Sequence, residues 1–132
     1  MLEAAIHKRW KRSPRLLALL PADRVYVGWV PNGTLPYCAI TNDGDDSEQY
    51  TSSGTEIERN VIRFNVFSAD LETAQKIKQE IKRAFNRQRF STDGGEVINI
   101  QRSAGLKIRA EDGIWQLTED YSVRLRTVAV GT

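Results

Sequence analysis

The stretch Val61-Ile62-Arg63-Phe64-Asn65-Val66-Phe67-Ser68-Ala69-Asp70-Leu71 decides how the chain folds, because the hydrophobic period changes inside it. Up to Phe67 it alternates: Ile62, Phe64 and Val66 fall on one face of a strand, Val61, Arg63, Asn65 and Phe67 on the other. After Asp70 the apolar residues Leu71, Ala74, Ile77, Ile81, Ala84 and Phe85 recur at intervals of three and four, which is one face of a helix. Ser68 or Asp70 can cap that helix, and Asp70 and Glu72 suit its positive end. Lys82, Arg83, Arg87 and Arg89 load the other end, so the pattern predicts a main helix over 71–90.

Towards the N-terminus, Leu2, Ile6 and Trp10 repeat every four residues, and Ser13-Pro14 reads as an N-cap followed by proline at the first helical position. Together they predict a helical arm over 1–20, stopped by Pro21, with Trp10 on its apolar stripe and therefore in the core. Arg24 to Trp29 reads as a strand, Pro31-Asn32-Gly33-Thr34 as a turn, and Pro36 to Thr41 as a second strand. Residues 42–55 are nearly all polar or small and read as an acidic loop. Beyond the helix, Thr92-Asp93-Gly94-Gly95 is a break. Strands follow at Val97–Ser103, Leu106–Glu111 and Trp115–Val128, the last two joined by a hairpin turn at Asp112-Gly113. In the final strand Tyr121, Val123 and Leu125 point one way, Ser122, Arg124 and Arg126 the other. The expected fold is α+β: one domain over 1–132, a mostly antiparallel sheet packed against one long amphipathic helix, with an N-terminal helical arm.

A chain of 132 residues, 40% hydrophobic and 27% charged, has the makings of one folded core. Its longest apolar run, Leu16 to Leu20, is far below the ~20 residues that span a bilayer, and it is too short for a secretory signal. A cytoplasmic protein with no membrane partner is expected. The one cysteine, Cys38, lies in the apolar run Tyr37-Cys38-Ala39-Ile40 and reads as a buried, inert thiol. His7, the one histidine, sits in the basic arm with no nucleophile paired to it by sequence. Asp43-Gly44-Asp45-Asp46-Ser47-Glu48 looks like a calcium loop only at first sight. Its glycine comes too early, and Gly54 stands where a ligating glutamate belongs. Gly94-Gly95 lacks the spacing of a phosphate loop. No catalytic residue, metal ligand or cofactor is therefore expected.

Charge is segregated. Residues 1–20 hold five basic groups against Glu3, residues 41–58 hold six acids and no base before Arg59, and residues 70–90 hold six basic groups against three acids. The candidate interface residues are thus Lys8, Arg9, Lys11 and Arg12 on the arm and Asp43, Asp45, Asp46 and Glu48 in the acidic segment. Copies bearing both patches can dock head to tail, and such contacts close into a ring when the rotation permits. Two other readings stay open. Each run can be a solvated face, or Lys8 to Arg12 with Arg83, Arg87 and Arg89 can track nucleic-acid phosphates, although the acidic segment opposes that field.

The order of features also resembles a known family. The helical arm, Arg24-Val25-Tyr26, then Pro31-Asn32-Gly33-Thr34-Leu35 leading to Pro36-Tyr37, resemble the tail-completion proteins of long-tailed bacteriophages. So do the strand Val61–Phe67, the helix from Leu71 with Ala74, and the closing Tyr121-Ser122-Val123-Arg124-Leu125-Arg126. These are the tail terminator or head–tail joining proteins, found also in prophages and gene-transfer agents. The resemblance implies a structural α+β subunit without cofactor that forms a hexameric ring with itself. Such a ring caps the tail tube, touches tail tube protein and head connector proteins, and is built in the host cytoplasm into the virion tail or neck. Another neck or connector adaptor, or a small nucleic-acid-binding module, is the alternative.

Overall fold

The computed structural model describes residues 2–28, 33–50, 55–92, 94–103 and 107–128, with the backbone alone at 43–50, 55–56, 107 and 128. The fold is α+β with a mixed sheet. Three helices, α1 (Leu2–Trp10), α2 (Pro14–Leu19) and α3 (Leu71–Phe85), accompany strands β1 (Val25–Val27), β2 (Tyr37–Tyr50), β3 (Thr55–Ser68), β4 (Phe90–Thr92), β5 (Gly95–Arg102), β6 (Lys107–Glu111) and β7 (Ile114–Val128). The strand order is β1-β2-β3-β7-β5-β4, with β6 pairing β7 beyond the end of β5. Only β1 and β2 run parallel; every other described pair is antiparallel.

The strand whose alternation was read first is the sheet's spine. β3 pairs β7 without interruption from Thr55↔Val128 to Ser68↔Trp115. Ile62, Phe64 and Val66 are buried on the same side as Leu117, Tyr121 and Val123 of β7, and Ala74, Ile77, Ile81 and Phe85 of α3 close over them. Phe64 lies 5.3 Å from the Phe85 ring and meets Tyr121 edge-on at 5.4 Å, so strand and helix are joined through aromatics. Asp70 caps α3 by accepting the amides of Glu72 and Thr73, while Ser68 Oγ accepts the Asp70 amide.

Four expectations need correction. α3 ends at Phe85 instead of reaching residue 90. Asn86 leaves helical geometry, Arg87 takes a positive φ of 62°, and the Arg87 amide donates to Ile100 O. Pairing with β5 thus captures the chain and turns Phe90–Thr92 into a strand, against a helical charge pattern that continued to Arg89. The segment 42–55 is not a loop along its first half. β2 runs on to Tyr50 and stays paired with β3, absorbing two irregularities, between Asn42 and Asp45 and between Ser47 and Gln49. Among the described strands this polar stretch has β3 on one side and no neighbour on the other. Residues 51–54 lie outside the described residues.

The first two helices do not project as an arm: Leu2, Ile6, Trp10, Leu16 and Leu20 are all in the core. Trp10 Nε1–H donates to Leu20 O at 3.1 Å and its ring lies 6.5 Å from Phe85, pinning α1 and α2 together over α3. Ser13 caps α2 through the Leu16 amide, as its sequence position predicts. Finally, the strand expected over Arg24 to Trp29 is shorter and parallel to its neighbour, with Val25↔Cys38 and Val27↔Ile40. Half of the turn expected between them, Pro31 and Asn32, lies outside the described residues. The Asp112-Gly113 hairpin is as read: φ is positive at both residues, 52° and 75°, which joins β6 to β7 by the turn that suits twisted strands.

Candidate assembly surface

Burial of Leu2, Ile6 and Trp10 turns the rest of α1 outward, and the basic residues of α1 and the turn after it follow. Lys8, Lys11 and Arg12 are exposed and make no ion pair with any described residue. Arg9 lies at the margin, its guanidinium 4.6 Å above the Phe90 ring. It also donates to Ala84 O and Gln88 Oε1, each at 3.4 Å. Burial, helped by the nearby Arg12 guanidinium, pulls its pKa below the ordinary arginine value, though it remains a cation. Between α1 and β4 these residues enclose a groove of about 500 Å³ lined by Ala4, Ala5, Lys8, Arg9, Arg12, Phe90, Ser91 and Thr92. Its lining carries three cations and no acid. Lys11 stands outside it.

The acidic residues lie elsewhere. Asp43, Asp45, Asp46 and Glu48 are on the outer half of β2, past the last residue that β1 reaches, Ile40. Asp45 stands opposite Asn60 and Asp46 opposite Arg59, while Asp43 and Glu48 fall in the two register shifts. The basic and acidic candidates therefore stand on different elements of the fold. The basic residues stand on α1 and the turn after it, beside β4, while the start of α1 meets β2, where Asn42 Nδ2 donates to Glu3 Oε1 at 2.8 Å.

His7 Nε2 lies 3.2 Å from Ala22 O, and the Cys38 thiol is fully buried, which pushes its pKa up and keeps it protonated. Among the described residues no group of three His, Cys, Asp or Glu side chains is placed to hold a metal, and no helix is long and apolar enough to cross a membrane. Two features escaped sequence reading. Glu119 is buried beneath α3, where it accepts the Tyr121 hydroxyl at 3.3 Å, with Arg102 Nε at 3.5 Å and Lys78 Nζ at 4.0 Å. Its position two residues before Tyr121 was the available signal, since alternate residues share a face. On the opposite face, Tyr37 stacks on Phe67 at 4.6 Å and meets Tyr26 edge-on at 6.0 Å. That cluster depends on register and leaves no trace in local pattern.

The family model described as tail completion protein gp17 matches residues 4–128. The chain belongs to the tail completion gp17 family. The match takes in both α1 and β7, so membership covers all seven strands and all but the first two residues of the first helix. The resemblance read from residues 24–37, 61–74 and 121–126 is thereby established, and the protein is a phage-tail structural protein of virion assembly. A chain in the structure titled "Virion of native gene transfer agent (GTA) particle" shares the tail completion protein's fold. Its TM-score is 0.73 at 18% identity, over 95% of this chain and 94% of that one. No curated protein matches by sequence.

Proposed function

We propose that this tail completion protein forms a ring, hexameric by family resemblance, that closes the end of the tail tube and presents a surface for joining it to the head. Membership of the tail completion family over residues 4–128 carries the reading. The geometry supports it: a sheet stiffened by a continuous fourteen-pair ladder between β3 and β7, with opposite charge on residues at its two flanks, suits a subunit that repeats head to tail. Its partners would be further copies of itself, tail tube protein and head connector proteins, met in the host cytoplasm and retained in the virion tail or neck. Such a protein acts by shape and surface, without a cofactor.

Assembly in the absence of this chain tests the proposal. Electron microscopy is expected to show tube of uncontrolled length and unjoined heads, and added purified protein is expected to bind tube ends and restore joining. Tails of normal length attached to heads without it would overturn the reading. Binding to isolated portal complexes in place of tube ends would replace it with a neck adaptor.

A further inference from the structure

We infer that neighbouring subunits join edge to edge, the outer half of β2 of one copy lying along β4 of the next inside the α1–β4 groove. The inference rests on the ring reading above and names its interface. Both elements are sheet edges. Among the described strands, β2 beyond Ile40 is paired with β3 on one side and with none on the other, and β4 is paired with β5 alone. A free edge carries backbone donors and acceptors that a further strand can satisfy, and proteins that leave one open control what may pair with it.

Three observations select this partner. The two register shifts of β2 bound a regularly paired segment, Asp45–Ser47, of three residues, which matches the three of β4, Phe90–Thr92. Irregular backbone on either side blocks longer pairing and fixes the register. The groove beside β4 presents Lys8 and Arg12, neither in an ion pair with a described residue, and Arg9 held in place by Phe90. The incoming segment supplies two adjacent carboxylates, Asp45 and Asp46, which alternate across the strand so that one of them falls on the groove side. Like charge forbids two β2 edges from pairing with each other and leaves the basic edge as the permitted partner. Lastly, the edges lie at opposite ends of one sheet path, so the contact is heterologous and each copy offers one of each to its neighbours. The occupant is a second copy of this chain.

Charge exchange on the full-length protein tests the pairing, read by sedimentation velocity and native mass measurement, alone and with tail tubes. Asp45→Lys with Asp46→Lys in one variant, and Lys8→Glu with Arg12→Glu in another, should each lose the wild-type oligomer. Their equimolar mixture should regain it, because each altered edge then meets its complement in alternation, and regain also shows that both variants fold. Wild-type assembly should weaken as salt rises. If the wild type assembles and both variants assemble like it, or if the mixture fails to restore assembly, the edge pairing is overturned while the ring stands. A wild type that stays monomeric alone and on tubes overturns the ring reading and this interface with it.

Discussion

Glu119 shows how much one buried carboxylate can organise. It is 4% exposed, and Lys78, Arg102 and Tyr121 reach it from α3, β5 and β7. Arg102 Nε makes no hydrogen bond to it at 3.5 Å, so that attraction is charge against charge; the hydrogen bond comes from the Tyr121 hydroxyl. Burial, with the adjacent carboxylate, raises the Tyr121 pKa and keeps that hydroxyl a donor. Glu119→Ala should cost about 3 kcal/mol in chemical denaturation, the low end for breaking a buried pair because Lys78 and Arg102 retain some water. An unchanged midpoint would show the cluster contributes nothing. At Asp70 the hydrogen bond from the Thr73 hydroxyl, joined by the amides of Glu72 and Thr73, holds the carboxyl below its usual pKa. A depressed pKa contributes stability above the unfolded value, about 3.9, and loses it as pH falls through the folded one. Asp70→Asn should therefore flatten the fall in Tm on acidification below pH ~4, measured against wild type across that range.

Elements here are decided at their ends. α2 is six residues long and depends on Ser13, whose hydroxyl accepts the Leu16 amide at 3.2 Å, and on Pro14 at its first position. Ser13→Ala should cost about 1 kcal/mol by urea unfolding, with Ser13→Gly costing less. β5 begins at Gly95, where an added Cβ would stand 2.6 Å from the Arg126 carbonyl oxygen across the β5–β7 pair. Backbone cannot yield there as a side chain can. Gly95→Ala should destabilise by about 1–3 kcal/mol and speed hydrogen exchange in β4 and β5 before the rest of the sheet. Uniform exchange would show that the close approach is relieved elsewhere. The Ser13 cap, the Asp70 cap and the Asp112-Gly113 turn were all legible, because each depends on residues within three positions of one another. The stop of α3 at Phe85 was not. It depends on the Arg87 amide finding Ile100 O and the Arg102 amide finding Asn86 Oδ1, contacts that local pattern does not contain.

For the whole molecule, charge placement is the property that matters. The six acids before Arg59 lie mostly on the outer half of the β2–β3 hairpin, and the cations of α1 lie by β4 at the other end of the sheet path. Neutralising Asp43, Asp45 and Asp46 to asparagine removes charge from an edge without touching the apolar core. Native mass measurement should find a weaker oligomer, with a Tm no lower than wild type. An oligomer of undiminished stability would return these residues to the role of a solvated face. The basic cluster was read as part of a helical arm, and its neighbours Phe90 and Thr92 were assigned to the end of the main helix and the break after it, so the groove was invisible until β4 formed.

By itself the sequence determined the α+β class, the inward faces of α1, α3, β3 and β7, the helix caps, the Asp112-Gly113 hairpin and the family. All of these reside in periodicity or in residues a few positions apart, where backbone geometry and side-chain hydrogen bonding act locally. Only the tertiary structure decided that β1 runs parallel to β2, that the acidic stretch is an edge strand, and that Glu119 lies buried under α3. Those depend on which distant backbone satisfies which donor, and a polar strand held by its neighbour looks locally like a loop.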